Sequence, residues 1–213
     1  MLSYLAAALP PEASPAARLL ALQCALRSTA AGTVRLPAGL VRGMGVGSCA
    51  TAYGELEEAH WLYSPTTPQT GREGFTAQLL DLALRTQAPA RRDRARAADW
   101  SLRSCQAKNL RRLDPLLRLM ALALTAHFPE EGNRSAPPLI EKAYLARICG
   151  LTPQGLVHAL DRLLDASFLC QWTYDPGLED LRWEVAQPHQ SWCAAGTVVR
   201  MPRSGSEPCD QGQ

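Results

Sequence analysis

The sequence predicts a mainly α-helical protein with small β-hairpins, built as two similar modules joined by a helical linker. Three observations lead there. Apolar residues recur at helical spacing in both halves of the 213-residue chain. Turn signals and strand-like runs follow the last helix of each half. A basic stretch poor in large apolar side chains lies between them. The expected boundaries are residues 1–85 for the N-terminal module, 86–113 for an Arg-rich helical linker, 114–187 for the C-terminal module and 188–213 for a flexible tail.

The C-terminal module is the clearer. Asp114 and Pro115 form a helix N-cap and first helical position. Leu116, Leu117, Met120, Leu124 and Phe128 then recur at helical spacing, and Pro129 ends the run. A polar loop from Glu130 to Ser135 precedes Pro137-Pro138. Leu139 to Cys149 reads as a second helix, with Gly150 as a left-handed stop. Thr152-Pro153 opens a third helix, buried through Leu156, Val157, Leu160, Leu163 and Leu164. Two strand-like runs, 168–174 and 181–186, flank a turn marked by Asp175, Pro176 and Gly177.

Residues 145–169 resemble the helix-turn-helix of bacterial winged-helix regulators of the GntR and MarR type. Leu145, Ala146, Gly150, Leu156, Ala159, Leu160 and Leu163 fall on the core positions of that pattern, and Phe168-Leu169 falls where the chain enters the wing. The resemblance implies a winged helix-turn-helix whose third helix reads the DNA major groove. The GntR-like pattern usually has Arg where this chain has Pro153 and Val157.

The N-terminal module repeats the plan. Ser14-Pro15 precedes an apolar helix from Ala16 to Arg27, residues 32–36 read as a strand, and Pro37 to Met44 as a short helix. Ser48 to His60 is the candidate recognition helix, and Trp61-Leu62-Tyr63 enters a wing. Pro65, Pro68 and Gly71 to Gly74 suit the wing loop. Phe75 to Leu84 returns as strand or helix. One offset of 107 residues pairs Gly43 with Gly150, Cys49 with Leu156, Ala52 with Ala159, Tyr53 with Leu160, Leu56 with Leu163, and Trp61-Leu62 with Phe168-Leu169.

The net charge of +2 hides an uneven distribution. Residues 85–118 hold ten basic side chains, among them Arg91, Arg92, Arg94, Arg96 and Arg118, against three acidic ones, while both flanks are mildly acidic. Such a block can contact phosphates although the whole chain is nearly neutral. Of the 22 basic residues only Lys108 and Lys142 are Lys, a usage that fits a GC-rich bacterial genome.

Double-stranded DNA is the expected partner, and transcriptional control in the bacterial cytoplasm, at the nucleoid, the expected role. Thr152 can donate to a phosphate, Gln154 can pair bidentately with adenine, and His158 and Arg162 are candidates for phosphate or base edges. In the first module Ser48 and Thr51 occupy the equivalent face, followed by Glu55, Glu57 and Glu58 without a basic residue. That face suits shape-based contact or a protein partner. Arg72 and Arg182 are the wing candidates. Two modules on one chain can mimic a dimer, and a homodimer is the alternative. Two other readings remain open. One is a plasmid or phage replication initiator. The other is a non-enzymatic interaction scaffold, like the paired winged-helix subunit of bacterial condensin.

No nucleotide-binding, hydrolase or zinc-protease motif is present, and the four His are far apart, so no enzyme and no cofactor are expected. The seven scattered Cys, without a C-x-x-C pair, read as small hydrophobes of a reducing compartment. His189 and Cys193 are the one spacing that suits a metal, and no further ligand lies close by in sequence. No window reaches the roughly 18 apolar residues of a spanning helix, and residues 1–11 make a poor signal peptide.

Overall fold

Two helices buried on almost every side, each opened by a capped proline, form the centre of the molecule. Ser14 accepts a hydrogen bond from the Ala17 N–H, and Pro15 starts α2 (Pro15–Arg27). Asp114 accepts from the Leu117 N–H, and Pro115 starts α6 (Pro115–Ala126). These caps are what the Ser-Pro and Asp-Pro pairs predict. The two helices pack against each other, and a single apolar core runs through both halves of the chain.

The computed structural model describes residues 1–46, 49–64, 74–81, 83–84, 88–128 and 138–186. Among them the chain forms eight helices and six strands. The remaining elements are α1 (Leu2–Ala8), β1 (Thr33–Leu36), α3 (Ala38–Met44), α4 (Cys49–Glu58), β2 (Leu62–Tyr63), β3 (Phe75–Leu79), α5 (Arg91–Cys105), β4 (Leu139–Glu141), α7 (Lys142–Cys149), α8 (Pro153–Asp165), β5 (Leu169–Asp175) and β6 (Asp180–Val185). Each half thus runs helix, helix, strand, helix, helix, hairpin. Each has a three-stranded antiparallel sheet in which the first strand pairs with the last, in the orders β1-β3-β2 and β4-β6-β5.

Two sequence expectations are corrected. Residues 139–141 are a strand and not the start of the second helix. Ile140 is buried between exposed Leu139 and Glu141, and the three pair with Arg182, Leu181 and Asp180 of β6. Three residues are too few to show alternation, so only the pairing partner defines the strand. The counterpart of Gly150 is Gly45, not Gly43. Gly45 and Gly150 both end their helices in the left-handed region, at φ 65 and 66. Gly43 lies inside α3, where a Cβ would come within 2.3 Å of the Gln106 side chain on the segment leaving α5. Phe75 to Leu79 resolves as strand β3.

The repeat is real in geometry but not at one offset. Ser14, Pro15 and Arg18 correspond to Asp114, Pro115 and Arg118. The buried faces of α4 (Cys49, Ala52, Tyr53, Leu56) and α8 (Leu156, Ala159, Leu160, Leu163) keep the 107-residue spacing. So do His60 and Ser167, two non-glycine residues at φ 52 and 55 that turn each chain into its hairpin. Loops of unequal length absorb the difference.

The halves interlock reciprocally. Helix α1, which leads the first half, packs on α7 of the second, and α5, which leads the second half, packs on α3 of the first. Arg18 is only 3% exposed; its guanidinium donates to the carbonyls of Pro10, Pro11 and Ala13 and, across the halves, to that of Arg147 at 3.3 Å. Arg118 is 7% exposed; it donates to the Leu113 carbonyl at 2.9 Å, to that of Arg111, and across the halves to that of Met44 at 3.0 Å. Burial lowers the pKa of Arg18, and backbone acceptors keep the buried cation solvated. Arg118 counted toward the basic block in sequence, yet it is inside.

The stretch read as a linker contributes to this core. Ala98, Ser101 and Cys105 of α5 are buried, and Gln23 of α2 donates to the Ser101 hydroxyl at 2.7 Å and to the Ala98 carbonyl at 3.3 Å. Small side chains there allow close helix approach, which a search for large apolar residues overlooks. Among the described residues, no helix is long and apolar enough to cross a membrane.

Candidate nucleic-acid interface

Helix α8 has a sharply divided surface. Leu156, Ala159, Leu160 and Leu163 face the core, while Thr152, Gln154, His158, Asp161 and Asp165 are exposed. The Thr152 hydroxyl accepts from the Gly155 N–H at 3.2 Å. Its own proton remains available to an acceptor. Gln154 and His158 follow on the same outward stripe, one turn apart. The first two turns of this face carry no carboxylate; the second half carries Asp161 and Asp165.

Arg162 is drawn away from that face. Its guanidinium pairs with Asp114 at 2.5 Å, while the other Asp114 oxygen caps α6. The equivalent position in the first half is Glu55, whose carboxylate accepts from the Ser14 N–H at 2.8 Å. Both residues thus tie the third helix of their half to the N-cap of its central helix. The charges are opposite because one cap offers a carboxylate and the other an N–H. Glu57 accepts from the Tyr53 hydroxyl at 3.1 Å. Two of the three carboxylates of α4, Glu55 and Glu57, are therefore engaged within the protein.

Thr51 is exposed on α4, beside exposed Ala50. Ser48 and Arg72 lie outside the described residues. Arg182 is exposed on β6, 4.0 Å from Asp175, and the same hairpin carries Glu179, Asp180 and Glu184. The second wing is therefore acidic around its single arginine.

The basic block divides by helical phase. Arg92, Arg96, Asp99 and Arg103 share one exposed face of α5, and exposed Lys108, Arg111 and Arg112 follow it. Asp99 is paired with Arg27 at 2.8 Å. Arg94 turns the other way. It donates to the carbonyls of Pro89 and Ser28, at 2.9 and 3.0 Å, and pins the start of α5 to the end of α2. Arg91 is exposed at the edge between these faces. Of the twelve candidate contacts, the structure thus presents Arg91, Arg92, Arg96, Thr51, Thr152, Gln154, His158 and Arg182 at the surface. It engages Arg94 and Arg162 internally.

The exposed residues that sequence reading missed as candidates are Arg103, Lys108, Arg111 and Arg112. Their spacing from Arg92 and Arg96 was the available signal. Among the described residues, no three His, Cys, Asp or Glu side chains gather as a metal site; His189 and Cys193 lie outside those residues. Comparison with family models, with curated proteins and with solved structures finds no match.

Proposed function

We propose that each half is a winged helix-turn-helix module and that the chain is a bacterial DNA-binding regulator of transcription. The observation that carries this reading is the outward basic stripe of α5 and the loop after it. There, six exposed cations, Arg92, Arg96, Arg103, Lys108, Arg111 and Arg112, stand apart from the arginines used to hold the fold. Phosphate contacts from such a stripe supply affinity without sequence preference. The carboxylate-free first turns of α8, with Thr152, Gln154 and His158, supply the base-reading surface.

The test is fluorescence anisotropy on duplex DNA across a salt series. Replacing Arg92, Arg96 and Arg103 by Ala is expected to weaken binding to all sequences alike. It should also flatten the salt dependence by about 0.9 in log–log slope for each phosphate that is no longer neutralised. Gln154→Ala is expected to change sequence preference, by about 1–3 kcal/mol at one base pair. Absence of duplex binding at low salt would overturn the reading.

The acidic second wing and the outward face of α4, which carries exposed Glu58 and no basic residue, favour a second reading, a protein-interaction scaffold. Chromatin immunoprecipitation in the native host separates the two. Sharp promoter peaks support regulation, a single origin peak supports a replication initiator, and no enrichment supports the scaffold.

A further inference from the structure

Between the end of α2, strand β1 and the first turn of α5 lies an open groove of about 1020 Å³. Its walls include four arginines, Arg27, Arg35, Arg91 and Arg94, together with Ser28 and Thr29. No carboxylate is among the described residues that line it. The apolar part of the wall comes from Leu26, Leu84, Ala88 and Ala95.

The four arginines are presented differently. Arg27 is held by Gln23 at 3.0 Å and by Asp99 at 2.8 Å. Arg94 is held by the Pro89 and Ser28 carbonyls, and its Nε is buried without a partner. Arg35 and Arg91 are exposed on β1 and at the start of α5, ready to close on a ligand from two elements. The α5 N-cap is Ala90, which offers no side-chain acceptor to the helix's first N–H groups. The positive end of this 15-residue helix adds to the field of the arginines, offset in part by Asp93 in its first turn.

We propose that this groove binds a small organic phosphate of mononucleotide size. The guanidinium forks fit phosphate oxygens bidentately. The apolar wall and a volume at the upper end of the range for ligand pockets favour a ligand with an attached ring over a bare ion. Arg91 and Arg94 then belong to this site, while Arg92 and Arg96 remain on the outward stripe. The inference does not depend on DNA binding by α8.

The test uses the full chain and isothermal titration calorimetry with AMP, ATP, inorganic pyrophosphate and adenosine. AMP or ATP is expected to bind saturably, pyrophosphate more weakly, and adenosine not at all below millimolar concentration. The double variant Arg35→Ala, Arg91→Ala removes only exposed side chains. It is expected to keep the circular dichroism spectrum and to weaken nucleotide binding at least tenfold. Arg92→Ala, Arg96→Ala is expected to leave nucleotide binding unchanged. Three results would overturn the proposal: no saturable binding of any phosphate probe, equal binding by wild type and the Arg35, Arg91 variant, or loss of duplex DNA affinity in that variant with nucleotide binding intact. The last would assign the groove to the DNA surface.

Discussion

Removing the Arg118 guanidinium is expected to destabilise the protein well beyond the loss of a surface charge, and Gly45 provides the means of proving why. Arg118 is 7% exposed and donates to three backbone carbonyls, one of them from the other half. A hydrogen bond to a charged group contributes about 1.5–3 kcal/mol. Water entering the vacated space recovers part of three such bonds, so Arg118→Ala is expected to cost about 3–5 kcal/mol, in the range seen when a buried charged partner is removed. For a chain of this size that corresponds to a fall in Tm of roughly 10 °C.

Gly45→Ala acts on the same contact from the opposite side. A left-handed residue with a Cβ costs about 1–2 kcal/mol by itself. The new methyl would also stand 1.9 Å from Arg118 Nη1 and 2.3 Å from its Cζ. The guanidinium is the far end of a flexible side chain, but here all of its bonds must break for it to move. Gly45→Ala is therefore expected to cost about 3 kcal/mol or more in the natural chain and only the left-handed penalty once Arg118 is Ala. A double-mutant cycle measured by urea unfolding should give a coupling of at least about 1.5 kcal/mol. If the two effects add to within about 0.5 kcal/mol, the guanidinium is not seated against Gly45 and the account of the interlock is wrong.

Asp114 both caps α6 and pairs with Arg162, and the two roles separate by substitution. Asp114→Ala should cost about 1–2 kcal/mol through removal of the cap. Asp114→Asn keeps a cap oxygen and, because the ion pair is partly exposed, should cost under about 0.5 kcal/mol in the same urea assay. Burial pushes the thiols of Cys105 and Cys149 up to about 11 and about 12, and raises that of Cys24 as well. Peptide mapping after iodoacetamide at neutral pH should find Cys170, which is exposed, labelled, and those three protected until the chain unfolds. In the unfolded chain the same thiols ionise near 8.5. Their burial therefore favours the fold fully below that pH, and the advantage disappears as pH rises through 11 and 12. Tm at pH 10.5 should accordingly lie below Tm at pH 8.

Local chemistry was legible in the sequence where one or two residues dictate geometry. Ser14-Pro15, Asp114-Pro115 and Thr152-Pro153 each announce an N-cap, and in each the side chain does accept from the N–H three residues on. Gly150 announces a left-handed stop. What was not legible depends on residues distant in sequence. Strand β4 exists because β6 pairs with it. Arg94 and Arg118 are indistinguishable by composition from Arg92 and Arg96, yet one pair serves backbone carbonyls and the other faces solvent. Helical phase separates Arg94 from Arg96. Only the packing of α6 against the first half places Arg118. For the candidate site, Thr152, Gln154 and His158 followed from the amphipathic pattern of α8, whereas the internal use of Arg162 required knowing that Asp114 lies beside it.

The internal repeat separates what the two halves share from what they do not. At the joints they agree: capped prolines, a buried Arg reaching across, a left-handed Gly at the helix end, and a positive-φ residue before the hairpin. Where the joint chemistry differs, as at Glu55 and Arg162, the change in charge matches a change in the cap it serves. The outward surfaces follow no such rule. At the shared spacing His158 stands opposite Thr51, Asp161 opposite Gly54 and Asp165 opposite Glu58, and the basic stripe belongs to α5 although α1, its counterpart in the interlock, has no charged residue at all. Contact geometry constrains the joints in both halves equally, while the exposed positions are free to specialise. On the DNA-binding reading proposed above, the target is therefore expected to be asymmetric. One half-site would be read through Gln154 and His158, and the other would be held, if at all, without base-specific contacts from α4.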